Sequence, residues 1–116
     1  MKKKDYRDYV EDILTAINEI DDFVKGVTFE DFRKDKKTTN AVIRSMEVIG
    51  EAAKNIPKTL REKYKSVPWT KMAGMRNKLI HEYASVDLEI VWQAIKEDFP
   101  SVKQLIAEIL KKLERS

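Results

Sequence analysis

Apolar side chains recur at spacings of three and four along most of the chain, the period of helices that bury one face. The first stripe is Tyr6, Tyr9, Val10, Ile13, Leu14, Ile17, Ile20, Phe23 and Val24. It predicts one long helix ending before Gly26, a residue suited to the position just past a helix. Thr28 and Asp31 resemble a capping box, with Asp for the usual Glu or Gln, and open a short turn around Phe29 and Phe32. Arg33–Lys37 reads as a solvated connection. A second long helix is predicted from about Thr38 to Ile56, with Val42, Met46, Ile49, Ala53 and Ile56 as its buried seam. Pro57 interrupts, a short basic amphipathic piece carries Leu60 and Tyr64, and Pro68-Trp69 begins a third helix. Gly74 lies inside that helix, where glycine costs about 1 kcal/mol relative to alanine. A second helix passing close by is the expected reason for it. Asp87 is placed as the next N-cap, with Glu89 in the first turn and Val86 and Val91 as a hydrophobic staple. Leu88, Val91, Trp92, Ile95 and Phe99 form the following apolar face; Pro100 kinks or restarts the helix, and Val102, Leu105, Ile106, Ile109, Leu110 and Leu113 continue the stripe. The pattern predicts an all-α fold: an antiparallel bundle of four main helices plus one or two short ones, in a single domain over residues 1–116.

Composition agrees and narrows the chemistry. The hydrophobic share is 42% and the charged share 37%, with three glycines and three prolines, too few turn residues for a sheet protein of 116 residues. The absence of cysteine excludes disulfides and thiolate metal sites and suits a reducing cytoplasm. No apolar run approaches the roughly 20 residues of a membrane span, and the basic start is not followed by an apolar signal segment, so a cytoplasmic protein with no membrane partner is expected. Between Lys54 and Lys78 eight basic residues face one acid, Glu62. Such a run is either a solvated face or the approach of a phosphate-rich partner.

The stretch Met75–Tyr83, MRNKLIHEY, holds the single histidine, His81. With one histidine and no cysteine, a three-ligand zinc site is not expected, no serine sits in a strand-to-helix elbow, and no glycine loop exists to cradle a nucleotide cofactor. What remains is His81 as acid or base and Arg76 as fixed cation, a pair suited to phosphodiester transfer, where a proton moves and charge builds on phosphate oxygens. Residues five apart lie about 140° apart around a helix, so Arg76 and His81 cannot share one face, whereas Asn77 and His81 can. Either the helix unwinds near His81, or a second copy of the chain completes the site. The bland alternative is a histidine that caps or packs. In the second helix, Asn40, Arg44, Glu47 and Glu51 fall on one narrow arc. That arc is either a wet face, or a polar wall beside the site or a subunit contact.

Arg76-Asn77, three residues, His81, one residue and Tyr83 resemble the arginine–four–histidine–any–tyrosine motif of HEPN-domain toxins. More specifically, the chain resembles the HepT-like family, through DYVEDILTAINEI, AVIRSMEVIGEAAKNIP and VPWTKMAGMRNKLIHEYASVDLEIVWQAIKEDFP, in order from Asp5 to Pro100. The resemblance implies a HEPN helical fold, a homodimer with a composite groove, and metal-independent endoribonuclease activity without a cofactor. It further implies the toxin of a type VII toxin–antitoxin pair, whose MNT-type nucleotidyltransferase antitoxin attaches AMP to the motif tyrosine. Carried over by position, Arg76 and His81 are the catalytic pair, Asn77 is an accessory and Tyr83 is the modification target. Arg44, Glu47 and Glu51 are further accessory candidates from their shared arc, and Lys71 and Lys78 are RNA-binding candidates from the basic run. The alternative is a non-catalytic HEPN subunit that partners a nucleotidyltransferase, which RNA cleavage by the purified protein would exclude.

Overall fold

The computed structural model describes residues 5–81 and 86–114, and they are helical in the order the apolar stripes predict. Helix α1 (Tyr6–Val24) starts at a capping box. The Asp5 carboxylate accepts from the backbone N–H groups of Arg7 and Asp8, and the Asp8 carboxylate accepts from the N–H of Asp5. Val10, Ile13, Ile17, Ile20 and Val24 are buried, as their spacing requires. Tyr6 and Phe23, counted in the same stripe, are exposed, because they stand at its two ends.

Helix α2 (Phe29–Lys34) and helix α3 (Lys36–Lys54) correct the expected boundary. Arg33–Lys37 is exposed as expected but is not a connection: α2 runs into it, and α3 starts two residues before Thr38. Asp35 makes this possible. Its carboxylate accepts from the N–H groups of Lys37 and Thr38 and from Thr38 Oγ1 at 2.6 Å, capping α3 with no intervening loop. The predicted seam Val42, Met46, Ile49, Ala53 and Ile56 is fully buried. At the start of α2, Thr28 Oγ1 accepts from the N–H of Asp31 as expected.

Helix α4 (Lys58–Lys63) is the short basic piece, and helix α5 (Trp69–His81) carries the motif. Helix α6 (Leu88–Gln93), capped by the Asp87 carboxylate, passes without a break through a π-helical segment (Ala94–Asp98) into helix α7 (Phe99–Glu114). Pro100 explains the wide turn. It has no N–H for the Lys96 carbonyl and its ring would collide with that carbonyl in a regular helix. The N–H of Phe99 therefore reaches back to Ala94 O, five residues earlier.

The packing is antiparallel where contacts reveal direction. Lys103 Nζ near the start of α7 meets Asp21 near the end of α1 at 2.9 Å, and Arg7 Nη2 donates to Leu113 O at the opposite ends. Helices α3 and α5 also run antiparallel: Gly50 of α3 lies against Met72 and Arg76, while Met46, one turn earlier, lines a groove with Met75 and Leu79. The close crossing is therefore at Gly50 and not at Gly74. A Cβ on Gly50 would stand 2.3 Å from Arg76 Cβ and 2.9 Å from Met72 O, whereas one on Gly74 would meet nothing within 4 Å among the described residues. The sequence expectation that Gly74 admits a neighbouring helix is overturned within the chain. The buried side chains form one apolar cluster, with Phe32 under the Trp92 ring at 5.1 Å tying α2 to α6.

Candidate active site

The absence of a side chain at Gly50 sets Arg76 beside α3, since that contact brings the α5 backbone onto α3 at this one turn. Arg76 Nε then meets Glu51 Oε2 at 2.6 Å, and Nη1 donates to Asn77 Oδ1 at 3.2 Å. The guanidinium is held by two carbonyl-type oxygens on its edge, a geometry that fixes its plane. The Arg76 side chain is 30% exposed and that of Glu51 is 51% exposed. A pair in such contact with solvent contributes at most about 1 kcal/mol to stability, so its consequence is orientation.

Around Arg76 lies a groove of about 200 Å³, lined by Arg44, Glu47 and Glu51 of α3 and by Tyr9 and Asp12 of α1. Three of the four residues on the arc read from the helix period, Arg44, Glu47 and Glu51, are thus beside Arg76, while Asn40 does not line the groove; Arg44 Nη1 stands 3.7 Å from Glu47 Oε2. Tyr9 and Asp12 are site residues that sequence reasoning misses: Tyr9 belongs to the core stripe by spacing, and Asp12 is one acid among several on α1, so only the docking of α1 on α3 brings them to the groove. Three carboxylates and two guanidinium groups line the groove, so Arg76 is electrostatically compensated before any ligand arrives.

The remaining candidates are distributed differently. Helix α5 stays helical to His81, its last residue, so the backbone positions of Arg76 and His81 lie about 140° apart around its axis. The His81 side chain and all of Tyr83 lie outside the described residues. Asn77 is exposed beside Arg76. Lys71 and Lys78 are not brought to the Arg76 groove. Lys71 Nζ is 3.9 Å from Asp98 of the π segment, and Lys78 borders an apolar groove of about 230 Å³ with Met46, Met75, Leu79 and Ile90. Among the described residues no group of three or more His, Asp or Glu side chains is arranged to hold a metal ion, and no helix is long and apolar enough to cross a membrane.

Comparison with known proteins meets this geometry from another side. The family described as ribonuclease HepT-like matches residues 13–109. The chain is 50% identical over 101 residues to the "Probable ribonuclease HepT" of Thermococcus cleftensis, covering 87% of this chain and 92% of that protein. It is 49% identical over 106 residues to a "Putative RNase" of Caldanaerobacter subterraneus, covering 91% of this chain and 95% of the other. A "Putative RNase" of Methanocaldococcus jannaschii is 48% identical over 114 residues, 98% of this chain and 94% of the relative. No solved structure matches the chain significantly.

Proposed function

The chain belongs to the HepT-like ribonuclease family, and from that premise we propose that it is a metal-independent endoribonuclease toxin working through Arg76 and His81. The observation that carries the proposal is the Arg76 guanidinium, fixed by Glu51 at the edge of a groove in the same helix as the only histidine. The chemistry follows from those groups. The ribose 2′-hydroxyl loses its proton to a neutral imidazole and attacks phosphorus. The bond to the 5′-oxygen breaks, and that oxygen takes a proton from an imidazolium, leaving a 2′,3′-cyclic phosphate and a 5′-hydroxyl. Arg76 stabilises the charge that builds on the non-bridging oxygens. One imidazole is required as base and one imidazolium as acid, and each chain has one histidine. A homodimer facing two α5 helices across a composite groove supplies both, and it removes the difficulty of the 140° separation within one helix.

Asn77 steadies the guanidinium, and Arg44, Glu47 and Glu51 form the wall that orients it. The partner that silences the enzyme is an MNT-type nucleotidyltransferase antitoxin, attaching AMP to Tyr83. Each AMP adds a phosphodiester charge and a nucleotide two residues from the catalytic histidine, where it excludes RNA. Purified wild type should cut an RNA oligonucleotide in EDTA and leave 2′,3′-cyclic ends, and an oligonucleotide lacking the 2′-hydroxyl at the cut position should survive. Products carrying 5′-phosphates would contradict the mechanism. Co-expression with the nucleotidyltransferase should add AMP to Tyr83; an adduct on Tyr6, Tyr9 or Tyr64 instead would contradict the regulatory part. Sedimentation of a lone monomer at micromolar concentration would remove the composite site.

A further inference from the structure

A second groove, of about 420 Å³, lies where the turn after α4 meets the first turn of α5. Lys58, Arg61, Lys65 and Lys71 line it against a single lining acid, Glu62. Its floor is apolar and buried, from Val67 and Trp69. The indole Nε1–H donates to Tyr64 O at 3.0 Å, which fixes the turn. The positive surface does not end there. An adjoining groove shares Lys65 and adds Lys63 and Lys112 on either side of Tyr64, against Glu108.

Two observations separate this band from an ordinary wet face. Arg61 lines the groove, and among the described residues its buried Nε has no hydrogen-bond partner, so no acceptor within them engages that end of the guanidinium. The acids nearby hold their cations loosely: Lys58 to Glu62 and Lys71 to Asp98 are each 3.9 Å, with all four side chains more than half exposed. Such pairs contribute between 0 and about 1 kcal/mol and yield readily to a phosphate. Val67 and Trp69 are buried floor, and Pro68 is the one exposed apolar residue of the lining, so the groove has no large exposed aromatic or aliphatic anchor on which a protein partner would be held. A cationic channel without such an anchor suits a sugar–phosphate backbone.

We infer that this band binds the phosphate backbone of single-stranded RNA flanking the cleavage site. The inference rests on the ribonuclease reading for the identity of the nucleic acid. Ten residues of helix separate Lys71 from His81, about 15 Å along α5. At about 3.4 Å per phosphate in a stacked strand, that is about four nucleotides from the bond that is cut. RNA recognition thus extends beyond the catalytic groove, on a surface with the opposite charge balance from the acid-rich wall around Arg76.

The test uses the full chain carrying His81→Ala, so that binding is measured without cleavage, and a fluorescent oligouridylate of about 20 nucleotides. Affinity is followed from about 50 to 200 mM salt. The triple Lys58→Gln, Arg61→Gln, Lys65→Gln is compared with Lys25→Gln, Lys36→Gln, Lys37→Gln, which removes the same charge from exposed positions elsewhere. The groove triple should weaken binding at least about tenfold and flatten the log–log salt slope by about 2, as expected for three lost phosphate contacts. The control should leave the slope nearly as it was. The pair Lys58→Gln, Lys65→Gln keeps half-buried Arg61 and should give about two thirds of the slope change, so a folding defect in the triple does not decide the matter. Equal losses in groove and control variants would overturn the inference, as would unchanged binding in the groove variants. If the groove variants behave as expected but the chain with His81 intact cuts no RNA, the catalytic reading falls while the groove stands.

Discussion

At the scale of single residues, the decisive contact is Arg76 Nε to Glu51 Oε2 at 2.6 Å. A carboxylate beside the arginine proposed to stabilise the phosphate offsets part of the charge such a substrate needs. Its value lies in fixing the plane of the fork, because a misplacement of about 1 Å at a reacting centre can cost about 10²-fold in rate. Glu51→Ala should therefore lower kcat by up to about 10²-fold with a small change in Tm, whereas Glu51→Gln, which still accepts a hydrogen bond, should recover most of the loss. A fall in Tm that tracks the fall in kcat would make Glu51 a structural residue instead. The arc containing Arg44, Glu47 and Glu51 was legible because residues on one helix obey a fixed 100° step. Tyr9 and Asp12 were not, because their place in the groove depends on how α1 docks against α3, and no local period encodes that.

At the scale of elements, two helical glycines, Gly50 buried and Gly74 exposed, have opposite roles. Gly50→Ala puts a methyl group 2.3 Å from Arg76 Cβ and 2.9 Å from a backbone oxygen. It should destabilise by about 1–3 kcal/mol through overpacking and displace Arg76, so activity should fall as well. Gly74→Ala meets nothing within 4 Å among the described residues and should stabilise the isolated chain by about 1 kcal/mol through helix propensity. Thermal unfolding of the two variants checks both signs. Sequence alone could not rank these glycines, since both interrupt a helical stripe and only the partner helix distinguishes them. The same limit hid the start of α3. Asp35 sat in a charged run that looked like linker, yet a single capping carboxylate let α2 and α3 abut. The Thr38 hydroxyl and then the Thr38 and Lys37 N–H groups hold the Asp35 carboxyl below its ordinary value of 3.8. A folded-state value below the unfolded one means stability that is present above the unfolded value and lost as pH falls through the folded one. Asp35→Asn, which still caps but does not titrate, should therefore lose less stability than wild type on acidification below about pH 4; parallel Tm–pH curves would contradict this.

At the scale of the whole molecule, the helical bundle was readable from apolar periodicity because each main helix buries one continuous stripe: α1, α3 and α7 do so almost residue for residue as spaced. The bundle presents two chemically different surfaces along α5. Arg76 faces an acid-rich groove built with α1 and α3, while Lys71 stands in a basic groove built with α4. That division suits an enzyme in which one region performs chemistry and another holds the substrate strand. It also explains why the basic run from Lys54 to Lys78 could not be resolved by counting charges, since Lys58, Arg61, Lys65 and Lys71 share one groove while Arg76 and Lys78 line two others. Whether Arg76 and His81 together cleave RNA without a metal ion is decided by cleavage of RNA in excess EDTA by wild type, Arg76→Ala and His81→Ala, each shown to be folded by circular dichroism. Wild type should cleave, and each variant should be slower by at least about 10²-fold; full activity in either variant, or dependence of the wild type on added metal, would contradict the account.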